Sequence, residues 1–384
     1  MDKTQYDIIY LVSCGVNGVS PAKEILNGLD MEKLYHISCS QFMDALVGTI
    51  IKRARVALPK EWNEHILKAV RKVVLFDTER EKLFSFMEQK GIWYLPLKGI
   101  VLKDYYPAVG MRQMSDNDIL FDYSFCAEVQ KYMKSQGYKA ISVGVGNHDV
   151  YKKEPVYNFE LHSALYNELH QDGWNEYYRN VKDRLVLNGS SSYGYHFTEE
   201  DFYVYIVSHA YKHYTGRGTG LRTLLDFYVY LKAKESSMDF EYIEKECEVL
   251  DIAGFEKINR SLCKKVFSVN TVIGEEDLEK LLSREEREML LYYLSSGVYG
   301  TFERGIENQM RKFRNKNGSK SKLNYLWSRL ILDMESIKRY YPFFYKHKVL
   351  LPLLLPYRLL GAMFDKSRRK NMVTELKVIK RCPM

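Results

Sequence analysis

Asp116 and Asp118 are separated by one residue inside the short, β-prone run DNDILFD (116–122). Side chains at i and i+2 leave a strand on the same face. Two carboxylates held that close repel unless a cation lies between them. Hard divalent ions such as Mg²⁺ or Mn²⁺ take oxygen ligands of this kind and also accept nucleotide phosphates. A third carboxylate on a neighbouring strand would complete a site able to activate a nucleophile and neutralise a leaving pyrophosphate. Glu160, in FELHSAL about 40 residues downstream, is the natural third member. The competing reading of the same spacing is a surface turn with two solvated acids.

The elements that must position these acids follow from the periodicity. Apolar residues recur at three and four spacing in QFMDALVGTIIKRARVAL and in HILKAVRKVVLFDTEREKLFSFMEQKG, so residues 20–90 are predicted to be helical, with Gly91 as a C-terminal cap. The period then changes. IWYLPLK (92–98) is predicted as a strand and GIVLKDYY (99–106) as a short helix stopped by Pro107. DNDILFD is a second strand. SFCAEVQKYMKSQG (124–137) is an amphipathic helix opening on Ser124 as N-cap. YKAISVGVG, HDVYKKE and VYNFELHSAL are predicted as consecutive strands separated by Gly, Asn and Pro turns. From Glu199 to about residue 310 the pattern is helical again. The expected fold is α+β: a small α/β core with a mixed sheet, flanked by N-terminal and C-terminal helical regions. The expected divisions are 1–90, 91–198, 199–310 and 311–384.

The string LPLKGIVLKDYYPAVGMRQMSDNDILFD resembles the family of uncharacterised nucleotidyltransferases in the DNA polymerase β-like superfamily. In that family an apolar strand leads to a Lys-Gly pair opening a helix that ends in Tyr-Pro, followed by an Arg and an acidic D-x-D strand. Here these are Leu95 to Leu97, Lys98-Gly99, Tyr106-Pro107, Arg112, and Asp116 with Asp118. The ELH of Glu160 to His162 is similar to the family's third-carboxylate strand, and SHAYKHYTGRGTGLRTLLDF to its helical His…His…Arg…Asp segment. The resemblance covers roughly residues 40 to 300. One departure is Asn117, where an apolar residue is usual; it is expected to face away from the acids.

The resemblance implies two-metal transfer of a nucleoside monophosphate from an NTP to an acceptor, with Mg²⁺ (or Mn²⁺) on Asp116 and Asp118. Glu160 would be the base, or a metal ligand orienting the acceptor hydroxyl. Gly99 would let the backbone approach the triphosphate. Lys98 would either contact phosphate or start a helix in solvent. Arg112 would clamp phosphate or pair with Asp116. In the helical segment His209 and His213 stand at i, i+4, as do Arg222 and Asp226, the latter readable as an intrahelical ion pair. Lys212, His213 and Arg222 are candidate nucleotide contacts. GRGTG (216–220) follows no strand of the core and is predicted to be a helix–helix turn rather than a phosphate loop.

Bulk properties constrain partners and location. Hydrophobic residues make up 46% of the 384, which demands a buried core. Six scattered Cys without a CxxC pair, and without His at zinc spacing, point to reduced thiols in a cytoplasmic protein and against a structural zinc. No signal peptide or membrane-spanning run is expected. The net charge of +8 is uneven: residues 311–384 carry 19 Lys and Arg against 4 Asp and Glu. MRKFRNKNGSKSK (310–322) is expected to be a solvated basic linker, and the remainder an amphipathic tail with a 16-residue apolar stretch interrupted by Pro352, Pro356 and Arg358. Three readings stand for this tail: peripheral attachment to an anionic membrane surface at the inner face, a helix packed on the body, or, with less support, RNA binding. For the whole chain the enzyme reading competes with a non-catalytic nucleotide-binding or antitoxin-like interaction module of the same fold. The intact acidic trio favours the enzyme.

Overall fold

The computed structural model describes residues 1–167, 173–268, 275–317, 321–332 and 334–381. The periodic run before the acids forms one long helix, Lys60–Lys90, whose buried side carries Trp62, Ile66, Val73, Phe76, Leu83 and Met87. Gly91 ends it at φ 70°, a left-handed conformation that a side chain resists, and its N–H bonds back to the helix carbonyls.

Five strands follow: β1 (Tyr94–Pro96), β2 (Asn117–Phe121), β3 (Lys139–Ser142), β4 (His148–Lys153) and β5 (Tyr157–His162). They form one mixed sheet in the order β1-β2-β5-β4-β3, with β2 and β5 parallel and the other neighbours antiparallel. A parallel pair needs a long crossover, and here the helix Cys126–Ser135 and the β3–β4 hairpin supply it. Ile119, Phe121, Phe159 and Leu161 join Val73, Phe76, Leu83 and Met87 of the long helix and Val129 and Met133 of the crossover helix in one core. The intervening residues of β2 and β5, among them Asp118, Glu160 and His162, therefore belong to the opposite face. A one-residue slip would drive Asp118 into the apolar core, so this burial fixes the register.

The expected helix at 124–137 begins differently. Ser124 is not its cap: the helix starts at Cys126 with Phe125 at the N-cap position and no side-chain cap, and a 3₁₀ turn, Tyr123–Phe125, precedes it, capped by Asp122, which accepts the Ser124 N–H at 3.2 Å. The segment GRGTG does join two helices, Glu199–Thr215 and Leu221–Lys234.

Residues 1–212 and 220–298 form one compact unit. Within it the N-terminal helices pack on those that follow the sheet. Ser13 and Asn17 of the helix Lys3–Asn17 both donate to the carbonyl of Phe267, at 3.0 and 2.6 Å.

The second unit comprises residues 213–219 and 299–384. The stretch expected to be a solvated linker is helical through Asn317, in Phe302–Asn317. Ile306 and Met310, four residues apart on this helix, are buried with Tyr325, Val378 and Ile379. The proline-interrupted apolar stretch forms the helix Leu351–Phe364, with Pro352 in its first turn and Pro356 inside it.

Candidate active site

Asp118 and Glu160 are register partners across the parallel β2–β5 pair. With His162 they bring side-chain donor atoms within 4.8 Å of one another, a group able to hold a metal ion. His162 Nε2 lies 2.8 Å from Asp118 Oδ1, and Lys98 Nζ donates to the same oxygen at 3.0 Å. Lys98 sits between β1 and the helix Gly99–Leu102 with φ 45°, a left-handed backbone rarely adopted by a residue with a side chain. Such strain costs on the order of 1–3 kcal/mol and persists where the surroundings impose it. Here the Leu97 N–H is bonded to the Asp118 carbonyl at 3.0 Å, tying the turn to β2. Asp116 lies immediately before β2 and accepts the Ser115 hydroxyl at 2.9 Å.

The charges in this group oppose one another. Burial alone would raise Asp118, but Lys98 and His162 hold it well below the usual carboxylate range. Asp116 is raised by burial and by Asp118. Glu160 is pushed up to about 7 by burial, then by Asp118 and Asp116. Lys212, half-buried on the helix Glu199–Thr215, is brought down to about 8 by desolvation and by Lys98, against the pull of Asp118 and Glu160. Burial opposes the charge on Lys98, yet Asp118, Asp116 and Glu160 outweigh it and raise its pKa. Three acids therefore share one desolvated region with two lysines, and a further cation would relieve their repulsion. Carboxylate oxygens of this kind are ligands for a divalent metal ion.

The other residues singled out from the sequence divide. Arg222 donates to the Gln113 carbonyl at 3.2 Å and is close enough to lower Asp116. Arg112 is paired with Asp226 and not with Asp116. Its Nε and Nη2 donate to the two Asp226 oxygens at 2.8 and 2.9 Å, and Tyr106 donates to the first at 2.8 Å. The expected Arg222–Asp226 helix pair is thereby replaced by a tertiary one. Gly99 has a packing role: a Cβ there would stand 2.6 Å from Arg112 Nη1 and 3.1 Å from Met114. Asn117 is buried away from the acids, as expected, where its Oδ1 accepts from Arg80 at 3.1 Å. The His209 ring lies 6.2 Å from that of Tyr205. His213 begins the segment that belongs to the second unit, whereas Lys212 belongs to the first.

Sequence reasoning missed three participants. His162 is legible in ELH, two residues from Glu160 and so on the same strand face, but nothing in the linear pattern marks it as a ligand. It is buried, and its Nδ1 has no hydrogen-bond partner in the structure. Burial, opposed by Asp118, brings its pKa down to about 4, so the imidazole is neutral near pH 7. His148 of β4 is the register partner of His162, with Nε2 3.8 Å from Glu160 Oε2. Lys72 of the long helix donates to the Ser115 carbonyl at 3.4 Å and feels Asp116. Neither has a linear signal, because both depend on how separate elements are brought together. The same holds for Cys39, Asp44 and His65. They lie far apart for zinc spacing in the chain, yet their donor atoms converge within 4.8 Å. Burial and then Asp44 push the Cys39 thiol up to about 11, so it stays protonated near pH 7.

A mixed sheet with one acid on its second strand, another immediately before that strand and a third on the parallel neighbour, between helical flanks, is a nucleotidyltransferase core. The chain belongs to the family described as "Uncharacterised nucleotidyltransferase", whose model matches residues 27–268. No curated protein and no solved structure matches it.

Proposed function

We propose that this chain transfers a nucleoside monophosphate from an NTP to a hydroxyl or amine acceptor, using Mg²⁺ or Mn²⁺ held by Asp116 and Asp118. The observation that carries this reading is the register pairing of Asp118 with Glu160 beside Lys98. A divalent ion bound there would neutralise triphosphate oxygens and stabilise the charge on departing pyrophosphate. Glu160 either completes the ligand set or takes the acceptor proton, and a pKa near 7 suits the second role. The acceptor oxygen or nitrogen bonds to the α-phosphorus, the bond to the bridging oxygen breaks, and pyrophosphate leaves. Lys98, Lys212 and Arg222 are assigned to the phosphates. Family membership supports the reaction class.

The test is incubation with each α-labelled NTP and Mg²⁺ or Mn²⁺ in a cell extract, following label transfer and pyrophosphate release. Transfer that Asp116→Asn and Asp118→Asn abolish is the expected result. Metal-dependent nucleotide binding without transfer under any acceptor would favour the non-catalytic binding module instead.

A further inference from the structure

The helix Leu351–Phe364 is apolar, but its apolar stripe points outward. Leu353, Tyr357, Leu360 and Phe364 recur at i, i+4, i+7 and i+11, the spacing of a single helix face. They are 57%, 56%, 54% and 86% exposed. Leu354, a step round the helix, is buried. The orientation is fixed by Arg358, whose guanidinium donates to the carbonyls of Leu330 and Arg329 at 2.9 and 2.8 Å, the end of the helix Ser321–Leu330. Rotating the stripe inward would break both bonds and strip a helix terminus of its partner. Just before the helix, Val349 is 91% exposed, and Phe343 is also outside.

Exposed basic residues bracket this stripe. Lys346 and Lys348 precede it, and Arg369 and Lys370 follow it in the helix Lys366–Arg381. Fourteen helical residues span about 21 Å. An apolar strip of that length between basic clusters matches a surface that is apolar beneath an anionic layer. No helix among the described residues is long and apolar enough to cross a membrane. A second copy is a poorer occupant, since residues 311–384 with 19 basic and 4 acidic residues would meet their own charge. Tyr357 and Phe364 carry rings, but Leu353, Leu360 and Val349 are aliphatic, which suits acyl chains rather than a run of stacked bases.

We infer that the helix Leu351–Phe364 lies flat in the interface of an anionic phospholipid membrane, with Leu353, Tyr357, Leu360 and Phe364 inserted and Lys346, Lys348, Arg369 and Lys370 on the headgroups. The inference is independent of the nucleotidyl-transfer reading. An apolar face contributes burial and the basic residues contribute attraction, so both are needed.

The full chain is floated with phosphatidylcholine vesicles that contain or lack phosphatidylglycerol. Partition onto the anionic vesicles should exceed that onto neutral ones at least about tenfold, and should fall similarly at about 1 M salt, where the Debye length is about 3 Å. Leu360→Glu with Phe364→Glu, and separately Lys346→Glu with Lys348→Glu, should each lower partition about tenfold or more. Both pairs are exposed, so melting curves should not move. Absence of flotation, equal flotation on both vesicle types, or flotation that either pair leaves unchanged overturns the inference. So does loss of a dimer in sedimentation on mutating the stripe while flotation persists, or RNA binding that depends on the lysines with no lipid binding.

Discussion

Asp118 of β2 and Glu160 of β5 face each other in a parallel register, and the lysine that neutralises Asp118 reaches it from a backbone turn with positive φ. The site is thus assembled from three separate segments, and its carboxylates are under mutual repulsion. Replacing Glu160 by Gln removes one of the repelling charges. At pH 8 without metal, the variant is expected to melt higher than the parent by a few degrees, since roughly 1–3 kcal/mol follows from a carboxyl held near 7 and each kcal/mol moves a chain of this size by about 1–2 °C. Nucleotidyl transfer should fall about 10²–10⁴-fold, the range for losing a positioned acid–base group. Calorimetry with and without Mn²⁺ tests both: a variant that melts lower than the parent, or keeps its transfer rate, counts against the site.

Arg112 and Asp226 are a buried bidentate pair linking the loop before β2 to the helix Leu221–Lys234. Arg112→Met leaves a buried carboxylate without its cation and should cost about 3–5 kcal/mol. Adding Asp226→Leu should recover a large part of that loss. Urea melts of the single and double variants measure it. A single variant as stable as the parent, but with weakened NTP binding, would return Arg112 to the phosphate-clamp role.

Gly99→Ala should destabilise by about 1–3 kcal/mol, because the new methyl group would collide with Arg112 Nη1, and Arg112 is held by Asp226 on two donors. In the Arg112→Met background the same substitution should cost much less. Equal costs in both backgrounds would mean that the glycine serves something other than this packing.

The acid limb of stability should depend on Glu79. Burial would raise its carboxyl, but Lys82, Lys153 and Tyr138, donating at 2.6, 3.0 and 2.9 Å, bring it down to about 2 from an ordinary 4.5. A depressed pKa contributes stability that is complete above the unfolded value and is lost as pH falls towards the folded one. Roughly 1–3 kcal/mol should therefore disappear between about pH 5 and pH 2. Glu79→Gln should be less stable than the parent at pH 6, with the gap shrinking to under half by pH 3 and closing towards pH 2, as followed by urea melts. A gap that does not change with pH would place the contribution in packing alone.

The sequence by itself determined the class of fold and the acids at its centre. A change from three-and-four spacing to alternation marks where helices give way to the sheet, and i, i+2 spacing singles out Asp116 and Asp118 as a pair, although β2 begins only at Asn117. The resemblance of the Lys-Gly to D-x-D block identified the family before any contact was known. What the linear pattern did not contain was pairing. Whether β5 lies beside β2, and in which register, depends on burying Ile119, Phe121, Phe159 and Leu161 against the long helix. That packing brings Glu160 to Asp118, adds His162 and His148, and takes Arg112 to Asp226 rather than to Asp116. The tail shows the same division. Its charge and apolar stretch are legible residue by residue, but the direction its stripe faces was settled by the bonds of Arg358 to Arg329 and Leu330. A periodic pattern specifies a face, and only the contacts of the folded chain decide what that face meets.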